Sequence, residues 1–300
     1  MKQQAILFNL DSDPALANQL TEQLYIEPGQ LNSRQFPDRE TYLRVDSDCR
    51  DKTALILCNL FDPDPKIMPL LFLAETLRDL GATRIALITP YLCYMRQDKR
   101  FQPGECVNAI PFAKLISNYV DFLITIDPHL HRITSLDQVY QIPTRVVAAA
   151  PLIADWLKNQ NQSVLLIGPD SESEQWVSEV SRLSGAPFVV LEKTRRGDRD
   201  VEVSLPQVER WQGYRPVLLD DIISSGRTML STLSKLAGQG LGQPICIGVH
   251  GIFADDAYRE LSEQAEVITT NCIPHPSNQI EIASALAEPL RAWLQAAPEA

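Results

Sequence analysis

Short, uninterrupted apolar runs recur along this chain, at 5–9, 54–59, 84–89, 122–126, 145–148, 164–167, 188–191, 216–219, 245–249 and 267–269. A strand with one face in water alternates apolar and polar residues, whereas a strand covered on both faces has no reason to alternate. Between several of the runs lie stretches with apolar residues at helical spacing, at 67–80, 109–119, 174–183 and 228–237. Parallel strands cannot be joined by a tight turn, and a crossover helix is their usual connection. The pattern therefore predicts an α/β chain of mainly parallel sheets flanked by helices.

The pattern also repeats. A run reading LILCNLFDPDP leads into a helix and then LGATRIALITPY; later, VLLDDIISSG leads into a helix and then LGQPICIGVHG. Leu57 to Ile88 and Leu218 to Val249 are both 31 residues apart. The shared grammar implies two similarly built domains, here assigned to 1–146 and 147–300 with the boundary inside 144–151. A chain of 300 residues with 45% hydrophobic content can fill two cores.

A formal net charge of -11 argues against nucleic acid or anionic membrane as a partner, because both need clustered Lys and Arg. No apolar run approaches the ~20 residues of a membrane span, and Asp11 and Asp13 come too early for a signal peptide. None of the six cysteines forms a CxxC pair, and Cys58, Cys93 and Cys246 sit in or beside apolar runs as reduced thiols would. A cytoplasmic location is expected.

The strongest local signal is segment 217–228, VLLDDIISSGRT. An apolar strand ends in Asp220 and Asp221, and a loop with Ser224, Ser225, Gly226 and Thr228 opens a helix. Such a loop aims backbone N–H groups, hydroxyls and a helix dipole at an anion, with Gly226 allowing close approach. Two acids would repel a lone phosphate, but they suit the vicinal hydroxyls of a sugar beside one. The combination predicts a sugar phosphate; the plainer alternative is a helix cap by Ser225. The chain holds neither a Walker A loop nor a GxGxxG fingerprint.

Segment 217–228 resembles the phosphoribosyl-binding signature shared by type I phosphoribosyltransferases and ribose-phosphate pyrophosphokinases. Its position favours the second family, whose members resemble two tandem phosphoribosyltransferase-like domains with only the second keeping the signature. The first-half counterpart, Asn59 to Asp62, lacks the acid pair and the Ser-Gly loop. Segment 34–41, RQFPDRET, resembles that family's adenine loop, which implies Phe36, Asp38 and Glu40 as ATP-binding residues. Segment 94–105, YMRQDKRFQPGE, is closest to the archaeal-like branch and implies Arg96 and Gln97 on ATP. Segments 125–129, TIDPH, and 168–171, GPDS, resemble the family's metal motifs and imply His129 and Asp170 as Mg²⁺ ligands.

The resemblance implies transfer of the β,γ-diphosphoryl group of ATP to the 1-hydroxyl of ribose 5-phosphate, with Mg²⁺ entering as Mg–ATP and at a second site. Segment 191–197, LEKTRRG, resembles the family's flexible catalytic loop, which makes Lys193 and Arg195 the expected catalytic cations. A homo-oligomer built from dimers is implied. Arg39 stands where the family usually has Gly, Pro128 replaces Leu of its D-L-H motif, and Gly226 occupies a position that is often Ala in another branch. Two alternatives remain open: a type I phosphoribosyltransferase, and a regulatory homologue without catalysis. The four residues Lys193, Arg195, Asp220 and Asp221 favour an active enzyme.

Overall fold

The computed structural model describes residues 4–130, 132–160, 162–169, 173–196, 200–204 and 208–296. The chain divides into two compact units: Met1–Val147 with Cys272–Pro274 and Ile282–Ala300, and Ala148–Asn271 with His275–Glu281.

The first unit contains β1 (Ala5–Asp11), α1 (Pro14–Leu24), β2 (Glu27–Pro28), β3 (Leu31–Gln35), β4 (Thr41–Val45), β5 (Thr53–Cys58), α2 (Asp64–Asp79), β6 (Arg84–Ile88), α3 (Ala109–Ser117), β7 (Phe122–Ile126) and β8 (Thr144–Val147). Its six-stranded sheet has the order β2-β1-β5-β6-β7-β8, parallel throughout. Every residue of β5 and of β7 is buried, whereas the edge strand β8 is half-exposed, so burial explains the unbroken apolar runs of the central strands.

The second unit contains α4 (Ala150–Lys158), β9 (Val164–Gly168), α5 (Glu174–Ser184), β10 (Phe188–Val190), β11 (Glu192–Arg196), β12 (Asp200–Ser204), β13 (Arg215–Ile223), α6 (Arg227–Leu236), β14 (Ile245–Gly251), α7 (Ala257–Ser262), β15 (Glu266–Thr270) and β16 (Asn278–Ile280). Its sheet, β10-β9-β13-β14-β15-β16, is again parallel. The two sheets share one winding, and in each an antiparallel hairpin follows the second strand, β3–β4 in one and β11–β12 in the other. The duplication lies in connectivity and not in spacing. Leu57 pairs with Ile88, but Leu218 pairs with Cys246, so the shared interval of 31 residues does not mark equivalent positions.

The last helix, α8 (Ala283–Gln295), belongs with the first unit, which differs from a second domain running unbroken to residue 300. Its apolar stripe of Ala283, Leu286, Ala287 and Leu290 is buried, and α8 packs against α1 and β8. Trp293 stacks on Phe122 at 4.8 Å, and Arg84 lies over Trp293 while donating to the Leu294 and Ala296 carbonyls at the frayed end. No helix among the described residues is long and apolar enough to cross a membrane.

Because Leu290 is fully buried, Leu290→Ala is expected to cost about 2–5 kcal/mol of first-unit stability. Chemical denaturation followed by Trp293 fluorescence checks this; an unchanged midpoint would detach α8 from that core.

Candidate active site

The second unit's sheet order reverses between β9 and β13, which places a crevice at the carboxyl ends of those strands. The ladder between β13 and β9 ends at Leu218↔Ile167, whereas that with β14 runs on to Ile223↔Gly251. Asp220 and Asp221 fall in the stretch of β13 beyond its ladder with β9. They lie inside the strand, which continues four residues past the apolar run at 216–219. Both are half-buried, and each accepts the following residue's N–H through Oδ1, at 3.0 Å for Asp220 and 2.8 Å for Asp221.

The turn into α6 is built around Gly226, whose φ of 65° lies in the left-handed region. A Cβ there would come within 3.1 Å of Leu261 on α7, so both backbone conformation and close approach favour glycine. Gly226 is the N-cap residue, with no side-chain cap bond, so Ser225 does not cap the helix. The orphan N–H groups and dipole of the first turn remain suited to an anion. Ser225 and Thr228 are exposed beside it, and Ser224 is half-buried. The turn is held from the next loop: Ile252 and Phe253 donate to the Ile223 carbonyl and Ala254 to that of Ser224.

Lys193 and Arg195 stand on β11, at register positions facing Val203 and Val201 of β12. The segment expected to be a flexible loop is thus the arm of a hairpin, stabilised by its own ladder. Asp170 lies outside the described residues.

In the first unit, Phe36, Asp38 and Glu40 form the tip of β3–β4. Phe36 donates its N–H to Glu40 O at 2.8 Å, Arg39 donates to Phe36 O at 2.9 Å, and Asp38 Oδ1 accepts from Glu40 N at 3.2 Å. Phe36 is 40% exposed. Tyr42 meets its ring edge-on at 5.8 Å, and the Arg34 guanidinium sits 4.8 Å from the Phe36 centroid and 4.3 Å from that of Tyr42. An oriented, partly open aromatic face can stack on a planar base. Arg39 adopts φ 72°, which explains why the resembling motif usually has Gly there.

Arg96 and Gln97 lie on the loop after β6, Arg96 exposed and Gln97 half-buried. Two carboxylates shape this loop. Glu105 Oε2 accepts from the N–H groups of Phe101, at 2.8 Å, and Gln102, at 3.0 Å. Asp98, with a side chain only 5% exposed, accepts Arg132 N at 3.0 Å and Arg132 Nη1 at 3.2 Å. Burial works to raise the Asp98 pKa, but the backbone N–H and guanidinium of Arg132 hold it below the usual value. Tyr94 donates to Asp64, and that bond pushes the phenol up to about 12. His129 is half-buried on the loop after β7, just past Asp127, whose N–H bonds Val147 O at 3.1 Å. Arg132 escaped the sequence reading, having no motif of its own; only its contact with Asp98 exposes it.

Among the described residues no group of three or more His, Cys, Asp or Glu could cage a metal. Mg²⁺ on a polyphosphate keeps waters and phosphate oxygens and needs only one or two protein groups. A single imidazole at a strand end fits an ion that arrives with its nucleotide.

Left-handed backbone costs a side-chain-bearing residue about 1–2 kcal/mol. Arg39→Gly is therefore expected to be neutral or to stabilise by up to about 1 kcal/mol, and the β-branched Arg39→Val to destabilise by about 1–2 kcal/mol. Urea denaturation of both variants checks the ordering; a Val variant as stable as the Gly one would overturn it.

Comparison with known proteins gives these features a family. Residues 5–119 match the model of the N-terminal domain of ribose phosphate pyrophosphokinase, and residues 135–286 match the phosphoribosyl transferase domain. The ribose-phosphate pyrophosphokinase of Methanopyrus kandleri is 30% identical over 278 residues, covering 91% of this chain and 94% of that protein. The enzyme of the same name from Methanobrevibacter smithii is 30% identical over 290 residues, covering 92% and 96%. The crystal structure of phosphoribosylpyrophosphate synthetase from Mycobacterium smegmatis superposes with a TM-score of 0.82 at 25% identity, covering 97% of this chain and 99% of that one. With its two phosphoribosyltransferase-like units and its match along nearly the whole length, the chain belongs to the ribose-phosphate pyrophosphokinase family.

Proposed function

We propose that this chain transfers the β,γ-diphosphoryl group of Mg–ATP to the 1-hydroxyl of ribose 5-phosphate, releasing AMP and forming phosphoribosyl pyrophosphate. The observation that carries this reading is the pairing of Asp220 and Asp221 with the Gly226 turn at one strand end. In this reading the turn, with Ser224, Ser225 and Thr228, holds the 5-phosphate, and the two carboxylates accept hydrogen bonds from the ribose hydroxyls. Phe36 stacks on adenine, Asp38 and Glu40 accept from its amine, and Arg96 and Gln97 contact the nucleotide. His129 and Asp170 would hold the Mg²⁺ that accompanies ATP, whose charge would offset that of the phosphates, and a second ion is assigned to the same reaction.

The 1-hydroxyl oxygen forms a bond to the β-phosphorus as that phosphorus loses its bond to the α–β bridging oxygen; AMP leaves with that oxygen, and the hydroxyl proton passes to solvent. Phosphoryl transfer depends mostly on positioning and charge neutralisation. Lys193 and Arg195 are assigned to the charge that develops on the transferred group. They stand two residues apart on the backbone ladder of β11. The enzyme is assigned to the cytoplasm, in keeping with its six free thiols, and to a homo-oligomer built from dimers.

The expected result with purified protein, Mg²⁺ and ATP is AMP formation that requires ribose 5-phosphate. Consumption of phosphoribosyl pyrophosphate with a nucleobase, and no ATP chemistry, would make it a phosphoribosyltransferase instead. Removing a cation that acts in the transition state costs about 2.7–4 kcal/mol. Lys193→Ala and Arg195→Ala are each expected to lower kcat by on the order of 10² or more with smaller changes in KM. Near-normal kcat in both would take β11 out of the mechanism. Asp221→Asn is expected to raise the KM for ribose 5-phosphate by about tenfold and leave that for ATP near normal; the opposite split in steady-state kinetics would count against the sugar assignment.

A further inference from the structure

We propose that Asp98 is a positioning residue, which holds Arg96 and Gln97 in their nucleotide-binding conformation by tying their loop to Arg132. The inference rests on the reading of segment 94–105 as an ATP-binding loop and deepens it. Asp98 follows Gln97 directly, so whatever fixes Asp98 fixes the backbone that presents the two residues before it. The loops bearing Asp98 and Arg132 follow neighbouring strands, β6 and β7, and the pair joins them across 34 residues of sequence.

The geometry is that of a built clamp. One carboxylate oxygen, Oδ2, accepts the Arg132 backbone N–H and the other, Oδ1, accepts its guanidinium. The carboxylate is nearly closed to solvent while its partner's side chain remains 53% exposed. Burying a carboxylate is costly unless its lone pairs are satisfied, and a surface ion pair would avoid that cost with little loss. What the buried arrangement adds is a fixed distance between two loops. The segment is also held elsewhere: Tyr94 donates to Asp64, Ala109 N–H donates to Gln97 O at 3.5 Å, Glu105 closes on Phe101 and Gln102, and Arg100 Nε donates to Glu105 O at 3.0 Å. Asp98 adds the tie that joins this segment, next to Gln97, to the loop after β7. Arg132 also lies 6.0 Å from the centroid of Phe101, extending the clamp to the far side of the loop.

The two bonds predict an order of effects. Asp98→Asn removes the charge and turns an amide N–H toward a donor, so it disturbs both bonds. Arg132→Gln loses the guanidinium bond and keeps the backbone one. Asp98→Asn is expected to weaken ATP binding, measured by calorimetry in the presence of Mg²⁺, by about tenfold, and Arg132→Gln by about threefold. The double variant is expected to match Asp98→Asn alone, because the pair acts as one unit. Ribose 5-phosphate KM should stay within about twofold in all three, a split that general loosening of the fold would not give. Hydrogen exchange of residues 96–105 should quicken in Arg132→Gln, a variant that keeps one bond and so remains usable if Asp98→Asn does not fold. ATP affinity and exchange both unchanged in Arg132→Gln would overturn the proposal, whether or not Asp98→Asn folds, and so would normal ATP binding by a folded Asp98→Asn. Arg96→Ala serves as the separate control: normal ATP affinity in that variant would remove the nucleotide reading of the segment itself.

Discussion

The structure depends on one constraint: every strand of each main sheet runs the same way. Parallel strands put all their carboxyl ends on one edge, and each crossover must travel back along a face before the next strand can start. In both units the winding goes one way first and then the other, so the order reverses between β1 and β5 and again between β9 and β13. At a reversal the two following connections leave in opposite directions, and nothing crosses the gap. The acid pair and the glycine turn of the second unit stand at such a point because the winding leaves room there.

The same winding is used differently in the two units. In the second, β13 carries Asp220 and Asp221, and Gly226 makes a tight turn without a side-chain cap. In the first, β5 leads to α2 through Asn59, which accepts the Phe61 N–H on its side chain and the Lys66 Nζ on its carbonyl, at 2.9 Å each. Lys66 also pairs with Asp11 at 2.8 Å. The first unit thus fills its own strand-end turn with side chains, and its candidate binding residues lie elsewhere, at the hairpin tip of Phe36 and on the segment after β6. The two units can carry different strand-end turns because the core that supports both is the same pattern of buried parallel strands.

Legibility followed burial. All ten apolar runs became strands; the central ones read as unbroken runs because a strand covered on both faces must be apolar throughout, and the edge strands β8 and β10 are partly exposed. The β3–β4 hairpin was invisible for the converse reason. LNSRQ of β3 is exposed except at Leu31, so it shows neither an apolar run nor an alternation that stands out from loop sequence. That bears on the candidate residues: Phe36 sits at a hairpin tip, and Lys193 and Arg195 on a hairpin arm. Helix α8 has a clear apolar stripe, yet nothing in that stripe says which core it covers; its place in the first unit follows from partners far away in sequence, Phe122 and Arg84. Arg132 was missed for the same reason.

The distribution of backbone strain follows the same logic. Eight non-glycine residues among those described have positive φ, and five of them follow strand ends: Asp62 after β5, Tyr94 after β6, Asp127 after β7, and Phe253 and Asp255 after β14. A sixth, Arg39, is at the tip of the hairpin that carries Phe36. Each such residue costs about 1–3 kcal/mol and persists only where its neighbours determine it. The neighbours are identifiable: Val147 O accepts from Asp127, Ile223 O from Phe253, and Asp64 from the Tyr94 hydroxyl. Two of these anchors belong to the sheets themselves. Carbonyls fixed in a hydrogen-bonded sheet can hold strain that loops alone could not, and the carboxyl-end loops keep conformations that exposed sequence would otherwise abandon.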